Sequence, residues 1–180
     1  MTWYADSASL VKSKIRTIPD FPTKGVLFRD ITPLWGDEAA FKTCSEIFTR
    51  RFLKDELDLI AGIESRGFVV GAAVAAHMEK GFIPIRKKGK LPCEVEFHEY
   101  QLEYGTDCVE IHKDAIRAGQ KILLVDDCLA TGGTMLAAIH LLKKIGADVV
   151  GCAVVINLPY LGGDEKIKSA GHSVFSIVEF

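Results

Sequence analysis

Asp126 and Asp127 stand at the end of an unbroken apolar run, Ile122–Val125, and are followed by the small-residue stretch Ala130-Thr131-Gly132-Gly133-Thr134. The run reads as a strand covered on both faces. Open α/β sheets bind their ligands at the carboxyl ends of such strands. The stretch after it reads as a turn opening a helix, where glycines allow positive φ and close backbone approach. Free N–H groups and the helix dipole at such a start favour an anion, above all a phosphate. Carboxylates that accept from sugar hydroxyls therefore lie beside a cradle for phosphate, and the pair asks for a phosphorylated sugar. The plain alternative is a strand–turn–helix whose acids only cap the helix.

The whole segment, KILLVDDCLATGGT at Lys121–Thr134, resembles the 5-phosphoribosyl-1-pyrophosphate (PRPP) loop of type I phosphoribosyltransferases. The resemblance implies that Asp126 and Asp127 hold the ribose hydroxyls and that Ala130, Thr131, Gly132, Gly133 and Thr134 hold the 5′-phosphate. Three further segments resemble the adenine-specific members of that family. Gly62-Ile63-Glu64-Ser65-Arg66-Gly67-Phe68 is a second strand-to-helix turn and hence a second anion site. It misses the GxSxG nucleophile elbow by one residue and has no evident base, which argues against a serine hydrolase. By resemblance it binds pyrophosphate through Glu64, Ser65 and Arg66; the alternative for Arg66 is a pair with a nearby carboxylate.

Arg86-Lys87-Lys88-Gly89-Lys90 is a dense basic run. Alone it reads as a solvated loop. In the resembled enzymes its counterparts reach pyrophosphate, partly across a dimer interface, which selects Arg86 and Lys87. Tyr100-Gln101-Leu102-Glu103-Tyr104-Gly105 resembles their flexible catalytic loop, with Glu103 in the place of the catalytic carboxylate and Tyr104 beside it. Adenine must lose a proton as N9 bonds to ribose C1, and a carboxylate facing the imidazole edge would manage that proton. Alone, Glu103-Tyr104 reads as an exposed strand end. Phe21–Asp30 resembles the adenine-binding segment, and it implicates Leu27, Phe28 and Arg29, with Cys128 at the wall of the base pocket. The alternative there is a structural loop with Arg29 and Asp30 paired. Glu64 and Cys128 depart from the usual aspartate and leucine, and Pro92-Cys93-Glu94 departs from the usual continuation of the basic loop.

These residues need a framework, and 180 residues with 48% hydrophobic and 26% charged content suit a single domain over residues 1–180. A net charge of −2 gives no global attraction to nucleic acid. No apolar run is long enough to span a membrane, and the first residues do not read as a signal peptide. Five scattered cysteines without a CxxC pair predict neither a zinc site nor a disulfide framework, so a cytoplasmic setting is expected.

Helices are predicted from Asp6 or Ser7 to about Arg16, from Glu38 to about Asp55, over Gly67–Glu79 and over Gly133–Ile145. Strands are predicted at Leu57–Ile63, Phe82–Arg86, Lys121–Val125, Val149–Ile156 and Val174–Val178. A β-ribbon is expected from Glu94–Leu102 and Asp107–His112, and an irregular segment from Pro19 to the FRDITP stretch. The alternation predicts an α/β fold, a mostly parallel central sheet with helices on both faces. A small amino-terminal hood (residues 1–35) and a flexible ribbon loop complete what the resemblance implies. It also implies Mg2+ held through PRPP and water with no direct protein ligand, a homodimer, adenine and PRPP as substrates, and AMP and pyrophosphate as products. The rivals are transfer to another purine base and a PRPP-sensing regulator, and the chain has no basic recognition helix for the second.

Overall fold

The computed structural model describes residues 2–101 and 105–180. Its centre is a seven-stranded sheet in the order β5-β6-β4-β3-β7-β8-β9. The strands are β3 (Leu59–Ile63), β4 (Gly81–Lys87), β5 (Val95–Gln101), β6 (Thr106–His112), β7 (Lys121–Leu129), β8 (Asp148–Asn157) and β9 (Val174–Glu179). From β4 across to β9 all neighbours are parallel, while β6 runs antiparallel to β4 and β5. The predicted sheet and ribbon are therefore both present, joined as one sheet.

Strand alternation divides the core. Leu123 and Val125 of β7 face one side, with Phe48 and Val74 from α3 (Glu38–Phe52) and α4 (Arg66–His77). Ile122 and Leu124 face the other, with Ile139 and Leu142 from α5 (Gly133–Lys144). All four β7 residues are fully buried, as a strand sandwiched between helix layers requires. Asp37 caps α3 by accepting from the Ala40 N–H at 2.9 Å.

The amino-terminal region departs from expectation. α1 spans Thr2–Ser13, so Asp6 and Ser7 lie inside it rather than at its start. Ser7 is buried, and α1 packs on α3. Residues Arg16–Pro19 (β1) pair antiparallel with Leu27–Asp30 (β2), giving a hairpin where irregular chain was expected. Long-range pairing explains this, because Arg16 faces Asp30 and its Nε donates to the carboxylate at 3.1 Å. That bond leads the causes that lower the Asp30 pKa to about 2. A short helix, α2 (Thr32–Trp35), follows. β7 also runs on through Leu129, because β8 continues alongside it, pairing Cys128 with Ile156 and Leu129 with Asn157. A last helix, α6 (Gly163–Ser169), was not foreseen.

Candidate active site

At the carboxyl end of β7 the strand's alternation separates the two acids. Asp127 is buried, and Asp126 keeps partial solvent access. Asp126 Oδ1 accepts from the Asp127 N–H at 2.8 Å. Burial, and then the neighbouring Asp127, hold the Asp126 carboxyl well above the ordinary carboxylate range. Burial raises Asp127 as well, against the pull of Arg66. Both acids thus gain from a partner that brings hydroxyl donors or positive charge.

The chain then turns through Ala130–Thr134. Gly132, at φ 76°, precedes α5 and, being glycine, offers no side chain to cap its first N–H groups. Asp126, Cys128 and Ala130–Thr134 line a cavity of about 100 Å³, closed by Leu129 and Met135. Behind the turn lies α6. A Cβ on Gly163 would sit 2.2 Å from the Ala130 carbonyl oxygen, and one on Gly132 would sit 2.9 Å from the Gly163 carbonyl oxygen. Two glycines therefore let two backbones touch, and α6 fixes the back of the Ala130–Thr134 turn. A larger cavity, about 620 Å³, lies at the other end of the sheet, beside Asp58 and Lys121 at the strand starts. It contains none of these groups.

The turn after β3 arrives next to the acids. Ser65 precedes α4, and the Glu64–Ser65 peptide is cis. A Cβ on Gly67 would lie 2.6 Å from Asp126 Oδ1, so only glycine permits this approach of α4 to β7. It brings Arg66 Nε to 3.1 Å from Asp127 Oδ2. Among the described residues, Arg66 Nη1 and Asp127 Oδ2 are buried without a well-aligned hydrogen-bond partner. The pairing alternative for Arg66 is thus realised, yet both partners retain bonding capacity.

Two strand-to-helix turns and an acidic pair thus stand at neighbouring strand ends. The family model described as "Phosphoribosyl transferase domain" covers residues 37–178. The chain belongs to the phosphoribosyltransferase family. A relative from Bordetella parapertussis, named adenine phosphoribosyltransferase, is 50% identical over 99% of this chain and 94% of its own. One of the same name from Pelodictyon phaeoclathratiforme is 52% identical over 94% of this chain and 97% of its own. The crystal structure of adenine phosphoribosyltransferase from Rhodothermus marinus superimposes with a TM-score of 0.92 at 43% identity, covering 98% of this chain and 99% of the other. The Saccharomyces cerevisiae enzyme, crystallised with an imino-altritol bisphosphate and adenine, gives 0.91 at 36% identity, covering 97% and 99%.

In this member of the family the basic residues expected at the second anion site are already engaged. Arg86 grips Glu64 with Nε at 3.2 Å and Nη2 at 3.1 Å. Glu64 also accepts from the Lys87 N–H at 2.9 Å. The Arg86 bond leads the causes that hold the Glu64 carboxyl below its ordinary range. Lys87 Nζ pairs with Asp107 and donates to the Tyr100 hydroxyl at 2.9 Å. Glu64 thus has a visible structural task, holding Arg86 and the start of the basic loop beside the Arg66 turn.

Of the residues expected at the base pocket, Phe28 is carried by the hairpin to the Arg66 turn, with the Arg66 guanidinium 5.0 Å from its ring centroid. Phe21 stacks edge-on against Phe28 at 5.0 Å. Leu27 is exposed. Arg29 is not paired with Asp30; it lies 4.3 Å over the Phe180 ring, and its side chain donates to Thr17. Cys128 lines the same cavity as Asp126, and burial, then Asp127, push its thiol up to about 12. Glu103 and Tyr104 lie outside the described residues. Sequence reasoning missed Gly163 and Asp107, and it named Tyr100 only as the start of the Tyr100–Gly105 stretch, with no task of its own. The signal available for Gly163 is the Gly162-Gly163 doublet, a turn dipeptide.

Proposed function

We propose that the protein transfers 5-phosphoribose from PRPP to adenine, giving AMP and pyrophosphate. The observation that carries this reading is the seat of Asp126 and Asp127 between two helix-start turns, on a chain alike over its full length to relatives named adenine phosphoribosyltransferase.

Each residue has a task in that reaction. The Thr131–Thr134 turn and the α5 dipole would anchor the 5′-phosphate. Asp126 and Asp127 would accept from the ribose hydroxyls and hold C1 towards the base. Holding the donor and base in line supplies much of the rate by removing translational freedom. Arg66 would bind departing pyrophosphate, with Arg86 beside it after exchanging its carboxylate partner for phosphate oxygens and Lys87 adding one of its three donors while it keeps Asp107. Leu27 and Arg29 would read adenine through the main chain, as the resemblance implies, between Phe28 and Cys128. The hairpin within residues 1–35 would form the hood over the base. Glu103 would take or steer the proton as N9 attacks C1, with Tyr104 on the same loop.

Magnesium fits this donor set, because the buried Asp127 oxygen and two carboxylates raised by burial favour positive charge. Asp126 and Asp127 would hold the ion indirectly, beside PRPP, and when bound it would supply charge neutralisation to the pyrophosphate. A cytoplasmic homodimer belongs to the same proposal. All five cysteines are free thiols, consistent with a reducing compartment.

The test is a magnesium-dependent assay with PRPP and each purine base in turn, following nucleotide and pyrophosphate together. AMP from adenine alone is expected. Turnover with another base in preference to adenine would overturn the base assignment. No turnover with any base would overturn the activity.

A further inference from the structure

The Tyr100 hydroxyl lies at the junction of three polar groups from separate parts of the fold. It donates to Asp107 Oδ2 at 2.9 Å, accepts from Lys87 Nζ at 2.9 Å, and lies 3.0 Å from Thr134 Oγ1. Lys87 itself pairs with Asp107. Tyr100 and Asp107 stand opposite one another on β5 and β6, Lys87 ends β4, and Thr134 is in the first turn of α5. The ring also flanks the same turn, close enough that a Cβ added at Gly133 would meet it at 3.8 Å.

Counting protons gives this junction a direction. A tyrosine hydroxyl has one proton to donate, and a carboxylate accepts only. With that proton on Asp107, the Thr134 hydroxyl must donate to Tyr100. A phosphate dianion also accepts only, so at the 5′-phosphate site it takes the Thr134 proton. Tyr100 then turns its own proton to Thr134. Asp107 remains paired, because the Lys87 ammonium has three donors and already touches both groups. A hydroxyl that accepts one hydrogen bond becomes a stronger donor of the next. The relay therefore strengthens the bond from Thr134 to phosphate.

We propose that Tyr100 is a positioning residue for the 5′-phosphate of the donor, aiming and polarising the Thr134 hydroxyl and linking it through Asp107 to Lys87 on the pyrophosphate side. This rests on the phosphoribosyl-transfer reading above. It adds a residue to the 5′-phosphate site that lies outside the ATGGT turn. The sequence also places Tyr100 three residues before Glu103.

The test uses the full-length protein with magnesium and PRPP, measuring PRPP affinity by titration calorimetry and both KM values by steady-state kinetics. Tyr100→Phe keeps the ring and removes the hydroxyl. It is expected to weaken PRPP binding and raise its KM by roughly 3–10-fold, the worth of one hydrogen bond. The adenine KM and the urea unfolding midpoint should hold. Thr134→Val should also weaken PRPP binding, and adding Tyr100→Phe to it should cost nothing more, because the hydroxyl that Tyr100 serves is gone. A Tyr100→Phe protein with unchanged or tighter PRPP binding overturns the proposal, as does an additive loss in the double variant. Absence of PRPP binding by the wild-type protein overturns the phosphoribosyl-transfer reading itself, and this proposal with it.

Discussion

Gly163→Ala gives the sharpest test of how the anion cradle is built. In sequence terms the change looks favourable, since Gly163 begins α6 and alanine is the better helix former by up to about 1 kcal/mol. Its φ is not among the positive values, so backbone strain does not oppose it. The tertiary contact reverses the sign. A Cβ would stand 2.2 Å from the Ala130 carbonyl oxygen and 2.9 Å from the Gly132 nitrogen, both backbone atoms. Real Cβ atoms keep at least 3.0 Å from such neighbours, so α6 and the turn must part by about 0.8 Å. Overpacking of this kind costs about 1–3 kcal/mol, which exceeds the helix gain. Moving phosphate donors by nearly 1 Å is a misplacement that costs roughly 10²-fold in rate. The variant should therefore show kcat/KM for PRPP lower by about 10²-fold, and a lower urea midpoint. Gly36→Ala is the control, because its Cβ would meet nothing nearer than 3.8 Å; it should stay within about 0.5 kcal/mol of wild type. If Gly163→Ala keeps PRPP kcat/KM within about 3-fold and an unchanged midpoint, α6 does not support the cradle.

Glu103→Gln should lower turnover by roughly 10²–10⁴-fold with little loss of PRPP affinity, and wild-type turnover in that variant would remove Glu103 from the proton step. Asp126→Asn should abolish most donor binding yet stabilise the protein measured without ligand at neutral pH. Burial and Asp127 raise the folded-state pKa of Asp126 above its ordinary 3.8. The wild type therefore keeps its full stability only below that value, and loses it as pH rises through the folded-state pKa. The stability gap between variant and wild type should widen with pH across that window in urea titrations; a gap that narrows would refute the assignment.

What the sequence disclosed followed from local physics. An apolar run covered on both faces has one reading at Ile122–Val125, and its period also identified β3, β8 and β9. Asp37 before the apolar stripe of α3 marked a helix start, and glycines after β7 marked a phosphate-type turn. Function was legible for the same reason, because the groups that would touch PRPP lie close together in the chain at each turn.

Pairing across distance was not legible. The β1–β2 hairpin depends on Arg16 meeting Asp30, and Arg29, adjacent to Asp30, turns instead to Phe180. Arg66 and Asp127, each readable as a site residue, meet only because Gly67 lacks a side chain. Arg86 and Lys87 read as free cations, whereas Glu64 and Asp107 hold them. Tyr100 stands in a recognisable stretch and Gly163 in a glycine doublet, yet neither pattern assigns them a task. Their importance arises from what other strands and helices bring against them. The sequence by itself determined the strands of the central sheet, the two strand-to-helix turns and the chemistry those turns invite, because short-range spacing and burial pattern encode them. Only the tertiary structure decided which charge neutralises which, and which backbone supports the cradle, because those outcomes depend on groups far apart in the chain competing for the same space and the same protons.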